Sequence, residues 1–159
     1  MAALADCGTA RYDLRHFVAS GLWLAGIKKI GYTLRPSAPV HGTILFAHGS
    51  RDPLWRQSIE AVATRARQLE PQTAVRCAYL ELTEPDLPTC VAELVAQGVQ
   101  SIMVVPMFLG VGRHAREDLP VLIATLKSAY PQLTIDLQIA IGEDARLIDL
   151  MASIALSRV

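Results

Sequence analysis

Thr43-Ile44-Leu45-Phe46-Ala47-His48-Gly49-Ser50 is an apolar, partly β-branched run that stops at a histidine and a glycine. A run this short with such an ending reads as a buried strand feeding a loop. A second run of the same form, Ile102-Met103-Val104-Val105-Pro106, leads into the glycine-containing loop Met107 to His114. Neither run alternates between apolar and polar residues, so both suit strands of a parallel sheet buried on its two faces. His48 and His114 then project from one carboxyl edge, where open α/β folds hold their active sites. Neutral imidazole is a good ligand for divalent transition metals, and two on a shared rim make a candidate metal site.

Outward from these runs the chain repeats a strand-then-helix pattern. Asp52 and Pro53 open a helix in which Ile59, Val62, Ala63, Ala66 and Leu69 recur at helical spacing until Pro71. Thr73 to Leu82 is the second strand, and Thr83-x-x-Asp86 resembles a capping box for a helix ending near Gly98. Pro85 and Pro88 are compatible with that helix because they fall in or before its first turn. Gln100 to Pro106 is the third strand, followed by a helix from about Asp118 to Ala129. Leu133 to Ile139 is the fourth strand, and Asp144 to Leu156 the closing helix. Four such units with short connections imply an α/β fold: a four-stranded parallel sheet flanked by helices on both faces.

Composition bounds the function. The 159 residues are 52% hydrophobic and 19% charged, which fits one compact cytoplasmic domain. The formal net charge is zero, so the dominant basic face of a nucleic-acid binder is not expected. Residues 1–40 carry Arg11, Arg15, Lys28, Lys29 and Arg35 against only Asp6 and Asp13, and are read as an N-terminal extension of unknown role. It closes on a Pro36-Ser37-Ala38-Pro39 linker, and the α/β domain occupies 41–159. Phe17 to Ile27 is apolar but much shorter than the roughly 20 residues that cross a bilayer, so no membrane association is expected. Lys28-Lys29 directly after it, and no small-x-small cleavage site, argue against a signal peptide. Cys7, Cys77 and Cys90 form no Cys-x-x-Cys pair and read as reduced thiols.

The His48-Gly49-Ser50 loop also resembles the oxyanion loop of α/β-hydrolases, but no Gly-x-Ser-x-Gly elbow follows. No Gly-x-x-x-x-Gly-Lys phosphate cradle exists either. Glu81 interrupts the apolar end of the second strand near the same rim, where a half-buried carboxylate would need a metal or a protonated imidazole as partner. Phe108 and Leu109, with Met107 and Trp55, could form an apolar wall, although core packing is the stronger reading for Trp55. Arg51, Arg113 and Arg116 offer forks for carboxylates.

His48-Gly49-Ser50-Arg51-Asp52-Pro53, Tyr79-Leu80-Glu81-Leu82 with Pro85, Val105-Pro106-Met107-Phe108-Leu109 and Gly112-x-His114-x-x-x-Asp118-Leu119-Pro120 together resemble the short, single-domain sirohydrochlorin chelatases. This family includes cobaltochelatases and ferrochelatases. The resemblance covers about residues 42–150 in order and spacing. It implies a chelatase-like three-layer sandwich, a homodimer, and insertion of Co²⁺, or alternatively Fe²⁺, into sirohydrochlorin without ATP or an organic cofactor. Cobalt would place the reaction in cobalamin synthesis and iron in sirohaem synthesis. By motif position His48 and His114 correspond to the metal-binding histidines and Glu81 to the acidic position of the site. The competing readings of the same residues are a non-catalytic metal carrier or sensor and, less favoured, an acyl-transfer hydrolase.

Overall fold

The computed structural model describes residues 40–157, and at residues 40 and 113–115 the backbone alone. Val40–Ala47 (β1) pairs in parallel with Ala74–Tyr79 (β2) on one side and Val99–Pro106 (β3) on the other. Thr134–Leu137 (β4) adds in parallel to β3, so the sheet has the order β2-β1-β3-β4. The connecting helices are Gln57–Leu69 (α1), Leu87–Ala96 (α2) and Arg113–Ala129 (α3). A short 3-10 helix, Ile141–Glu143, leads into Ala145–Leu156 (α4). The four-stranded parallel α/β sheet expected from the sequence is therefore present. β1 begins at Val40, earlier than Thr43; the rest of the N-terminal extension and its proline linker lie outside the described residues.

Alternation along each strand divides the core into two layers. Ile44 and Phe46 of β1, Ile102 and Val104 of β3 and Ile135 of β4 pack against Leu87, Cys90, Val91 and Leu94 of α2 and Leu119, Ile123 and Leu126 of α3. The opposite face presents Leu45, Val75 and Val105 to Ala63 of α1, with Ile59 and Ala66 beside it. Burying a large apolar side chain of this kind contributes about 1.5–3 kcal/mol, so the two layers hold the central strands firmly. None of α4 is buried among the described residues.

Three helix starts differ from the sequence reading. Asp52 does not open α1: its carboxylate accepts from the Leu54 N–H at 2.9 Å and closes a separate turn, and the helix begins only at Gln57. That leaves Trp55 outside the helix and 39% exposed, not in the core. Asp86, not Thr83, caps α2, accepting from the Thr89 N–H at 2.8 Å, with Pro88 in the first turn where no amide bond is lost. The third is that of α3, which begins at Arg113.

The hydrogen bonds to Thr89 hold the Asp86 carboxyl below its ordinary value. A group with a lowered folded pKa stabilises above its unfolded pKa and loses that contribution as pH falls through the folded one. Asp86→Ala is expected to cost about 1 kcal/mol at neutral pH, the usual worth of an N-cap. Urea titration should show this difference shrinking in acid, as the wild-type carboxylate protonates.

Candidate active site

α1 connects β1 to β2 across one face of the sheet, and α2 carries the chain across the other face to β3. Connections leaving in opposite directions open a crevice between the carboxyl ends of β1 and β3, the place where open α/β sheets bind ligands. His48 is the first residue after β1, and Met107-Phe108 the first two after β3. The Met107 N–H donates to the Phe46 carbonyl at 2.7 Å, carrying the pairing of the two strands one residue past β3. This brings the ring of Phe108 under the imidazole of His48, with centroids 4.3 Å apart and planes at 34°. Phe108 is itself fixed edge-on to Phe46, at 5.9 Å and 66°. His48 is exposed above this aromatic floor.

Phe108 is only 2% exposed, so it supports His48 from below and does not form an open wall. Leu109, 67% exposed, is the member of the pair that reaches solvent. Its backbone rests on Gly142, where a Cβ would come within 2.1 Å of the Leu109 carbonyl oxygen. The Gly142 N–H donates to the Phe108 carbonyl at 2.9 Å. Gly142 escaped the sequence reading because a glycine required by a neighbour's backbone carries no local signature.

Glu81 lies beside His48 by a route other than the expected one. β2 ends at Tyr79, and Glu81 is exposed, so burial gives its carboxylate no need of a partner. What brings it to His48 is backbone: the Leu80 N–H donates to the Ala47 carbonyl at 2.8 Å and the Glu81 N–H to the His48 carbonyl at 2.9 Å. Two successive N–H groups thus tie the segment after β2 to the end of β1 and the residue after it. Leu82, at a φ of 60°, then turns the chain away. Gly49 lies against this segment with a φ of 95°, and a Cβ there would meet the Glu81 carbonyl oxygen at 1.9 Å.

His114 lies in the first turn of α3, which begins after Gly112 and not near Asp118. The earlier start puts Pro120 inside the helix, where it has no N–H for the Arg116 carbonyl. His48 and His114 therefore follow the carboxyl ends of neighbouring strands, one in a loop and the other at a helix start. The backbone alone is described at Arg113 and His114.

Arg51 and Arg116 do not share one cleft. Arg51 lines a hollow of about 320 Å³ with Ser50, Arg56, Leu82, Thr83 and Glu84. Arg116 lines another of about 280 Å³, with Phe108, Val111 and Leu119 for walls and Gln138 and Glu143 as polar groups. Gln138 and Glu143 were not singled out in the sequence, where nothing ties them to β3.

Cys77 and Cys90 are free thiols. Burial raises the Cys77 pKa and pushes Cys90 up to about 12, so neither offers a thiolate at neutral pH. Among the described residues no three His, Cys, Asp or Glu side chains converge as a ready-made metal cage.

The sequence model of the CbiX family matches residues 42–156, from within β1 to the end of α4. The sirohydrochlorin cobaltochelatase of Methanothermobacter thermautotrophicus is 37% identical over 82 residues, 52% of this chain and 57% of that protein. The chain thus matches a little over half the length of this relative. A crystal structure of a cobalamin (vitamin B12) biosynthesis CbiX protein from Marinobacter aquaeolei VT8 superposes with a TM-score of 0.65 at 37% identity, covering 72% of this chain and 93% of that one. The sirohydrochlorin chelatase SirB of Bacillus subtilis subspecies spizizenii, in complex with cobalt, superposes at 0.62 with 29% identity, covering 71% and 48%. SirB from Bacillus subtilis has also been solved with Fe³⁺.

Proposed function

This chain belongs to the CbiX family, and from that premise we propose that it inserts a divalent metal into the tetrapyrrole sirohydrochlorin. The reaction exchanges two pyrrole N–H protons for one M²⁺. Charge balances and no electrons move, so the stoichiometry calls for neither a nucleotide nor an organic cofactor. Cobalt is the first assignment and ferrous iron the second. The names of the relatives support that order, and the SirB structures with cobalt and with Fe³⁺ support keeping both metals in view.

The observation that carries the reading is the pairing of the Glu81 N–H with the His48 carbonyl at the crevice between β1 and β3. It ties the backbones of two exposed residues, one bearing an imidazole and the other a carboxylate, and this supports a shared role for them at the edge a flat macrocycle would approach. In this account His48 and His114 hold the incoming ion as neutral imidazoles with coordination positions left open. Glu81, facing water, receives the pyrrole protons and passes them to solvent. Leu109 meets the ring, and Arg51, Arg113 and Arg116 meet its peripheral carboxylates. The test is anaerobic absorbance of sirohydrochlorin with Co²⁺. Acceleration over the protein-free reaction supports a chelatase, whereas metal binding without acceleration would make the protein a carrier or sensor.

A homodimer forms part of this proposal. Leu147, Leu150, Met151 and Ile154 of α4 recur at helical spacing, and the last three are 55%, 36% and 63% exposed. SirB has about as much chain again beyond the part that superposes, and a second copy of this chain would supply a comparable body. Sedimentation at micromolar concentration is expected to show a dimer, and Leu150→Asp/Met151→Asp a folded monomer of reduced activity. A fully active wild-type monomer would contradict it. No helix among the described residues is long and apolar enough to cross a membrane. The free thiols Cys77 and Cys90 are in keeping with a cytoplasmic location.

A further inference from the structure

Where the backbone pairing of the two site loops stops, a side chain takes over. The last backbone rung is the Glu81 N–H on the His48 carbonyl, because Leu82 then turns away. One residue later the Thr83 hydroxyl accepts from the Ser50 N–H at 3.1 Å and donates to the Ser50 carbonyl at 2.7 Å. A single oxygen thus satisfies both main-chain groups of a residue 33 positions away. Only a hydroxyl can donate and accept at one atom in this way, and the β-branch of threonine narrows its χ1 choices. Thr83 and Ser50 are both half-buried, so water does not freely replace these bonds.

His48-Gly49-Ser50 is held at His48 by Glu81 and at Ser50 by Thr83, on the two sides of a glycine with no side chain to stiffen it. We infer that Thr83 is a positioning residue, fixing the separation of the His48 imidazole and the Glu81 carboxylate by bridging Ser50. The inference rests on the proposed chelatase reading, since it is the metal that would sense this separation.

The experiment compares wild type, Thr83→Val, Thr83→Ser and His48→Ala for Co²⁺ affinity by titration calorimetry, for the rate of Co²⁺ insertion, and for thermal unfolding. Valine keeps the shape and loses the hydroxyl. Thr83→Val is expected to weaken Co²⁺ binding and insertion together by about 10- to 100-fold, the usual effect of removing a group that orients metal ligands. Thr83→Ser is expected to restore both to within a few-fold of wild type. Two results overturn the inference while leaving the chelatase reading standing: a folded Thr83→Val protein with wild-type affinity and rate, or serine failing to rescue although it folds. If wild type shows no Co²⁺ binding or insertion that His48→Ala removes, the chelatase reading fails and the inference falls with it.

Discussion

Gly49→Ala is expected to destabilise the protein by about 2–4 kcal/mol and to lower metal insertion at least 100-fold. Two costs combine. A φ of 95° is a backbone conformation that residues with a Cβ adopt only at an expense of about 1–3 kcal/mol. The new methyl group would also stand 1.9 Å from the Glu81 carbonyl oxygen, which is backbone and cannot swing aside as a flexible side chain would. Relief requires the Glu81 segment to move, at the expense of its N–H bond to the His48 carbonyl, about 1 kcal/mol more. The same movement separates Glu81 from His48, so activity falls further than stability alone would bring it. Urea unfolding checks the first number and the insertion rate, measured well below the unfolding transition, the second. A stable, fully active Gly49→Ala protein would show that the Glu81 loop does not need its observed position.

Replacing His48 separates chemistry from packing. Its ring is exposed and lies on Phe108 at 4.3 Å, so the side chain contributes about 0.5–1.5 kcal/mol through that contact. His48→Phe keeps an aromatic ring on Phe108 and removes both nitrogens. It is expected to unfold within about 0.5 kcal/mol of wild type, as surface substitutions usually do. His48→Ala is expected to lose the contact as well. Both variants should lower insertion by about 10²–10⁴-fold, the range for losing a group that acts directly on the reacting atoms. A His48→Phe protein that inserts metal at the wild-type rate would remove the imidazole from the mechanism.

Part of this site is legible in the chain as written. The apolar runs ending at Ala47 and Pro106 mark two parallel strands of one sheet and so put His48 at its carboxyl edge; that the strands are neighbours, and that Met103 of β3 is 38% exposed, only the structure shows. What is not legible depends on contacts between distant segments. Tyr79-Leu80-Glu81-Leu82 reads as strand because it continues an apolar run that only Glu81 interrupts, yet β2 ends at Tyr79 and the chain turns away at Leu82 in a left-handed conformation that no glycine or asparagine signals. Thr83 and Asp86 share a capping-box spacing, but the Thr83 hydroxyl has a better-placed partner in Ser50, leaving the cap to Asp86 alone. α3 starts early because its packed face, Leu119, Ile123 and Leu126, outweighs the one amide bond that Pro120 cannot make. Trp55 is exposed because Asp52 closes its own turn ahead of α1. In each case tertiary contacts decide between two local options that the residues permit.

The most direct test of the account is the ratio of catalysed to protein-free insertion of Co²⁺ and of Fe²⁺ into sirohydrochlorin, followed anaerobically by absorbance. Wild type should be compared with His48→Ala/His114→Ala. The account predicts a large ratio for wild type with at least one of the two ions, and a ratio near one for a variant that remains folded by circular dichroism. A ratio near one for wild type with both ions, or a variant as fast as wild type, would contradict it.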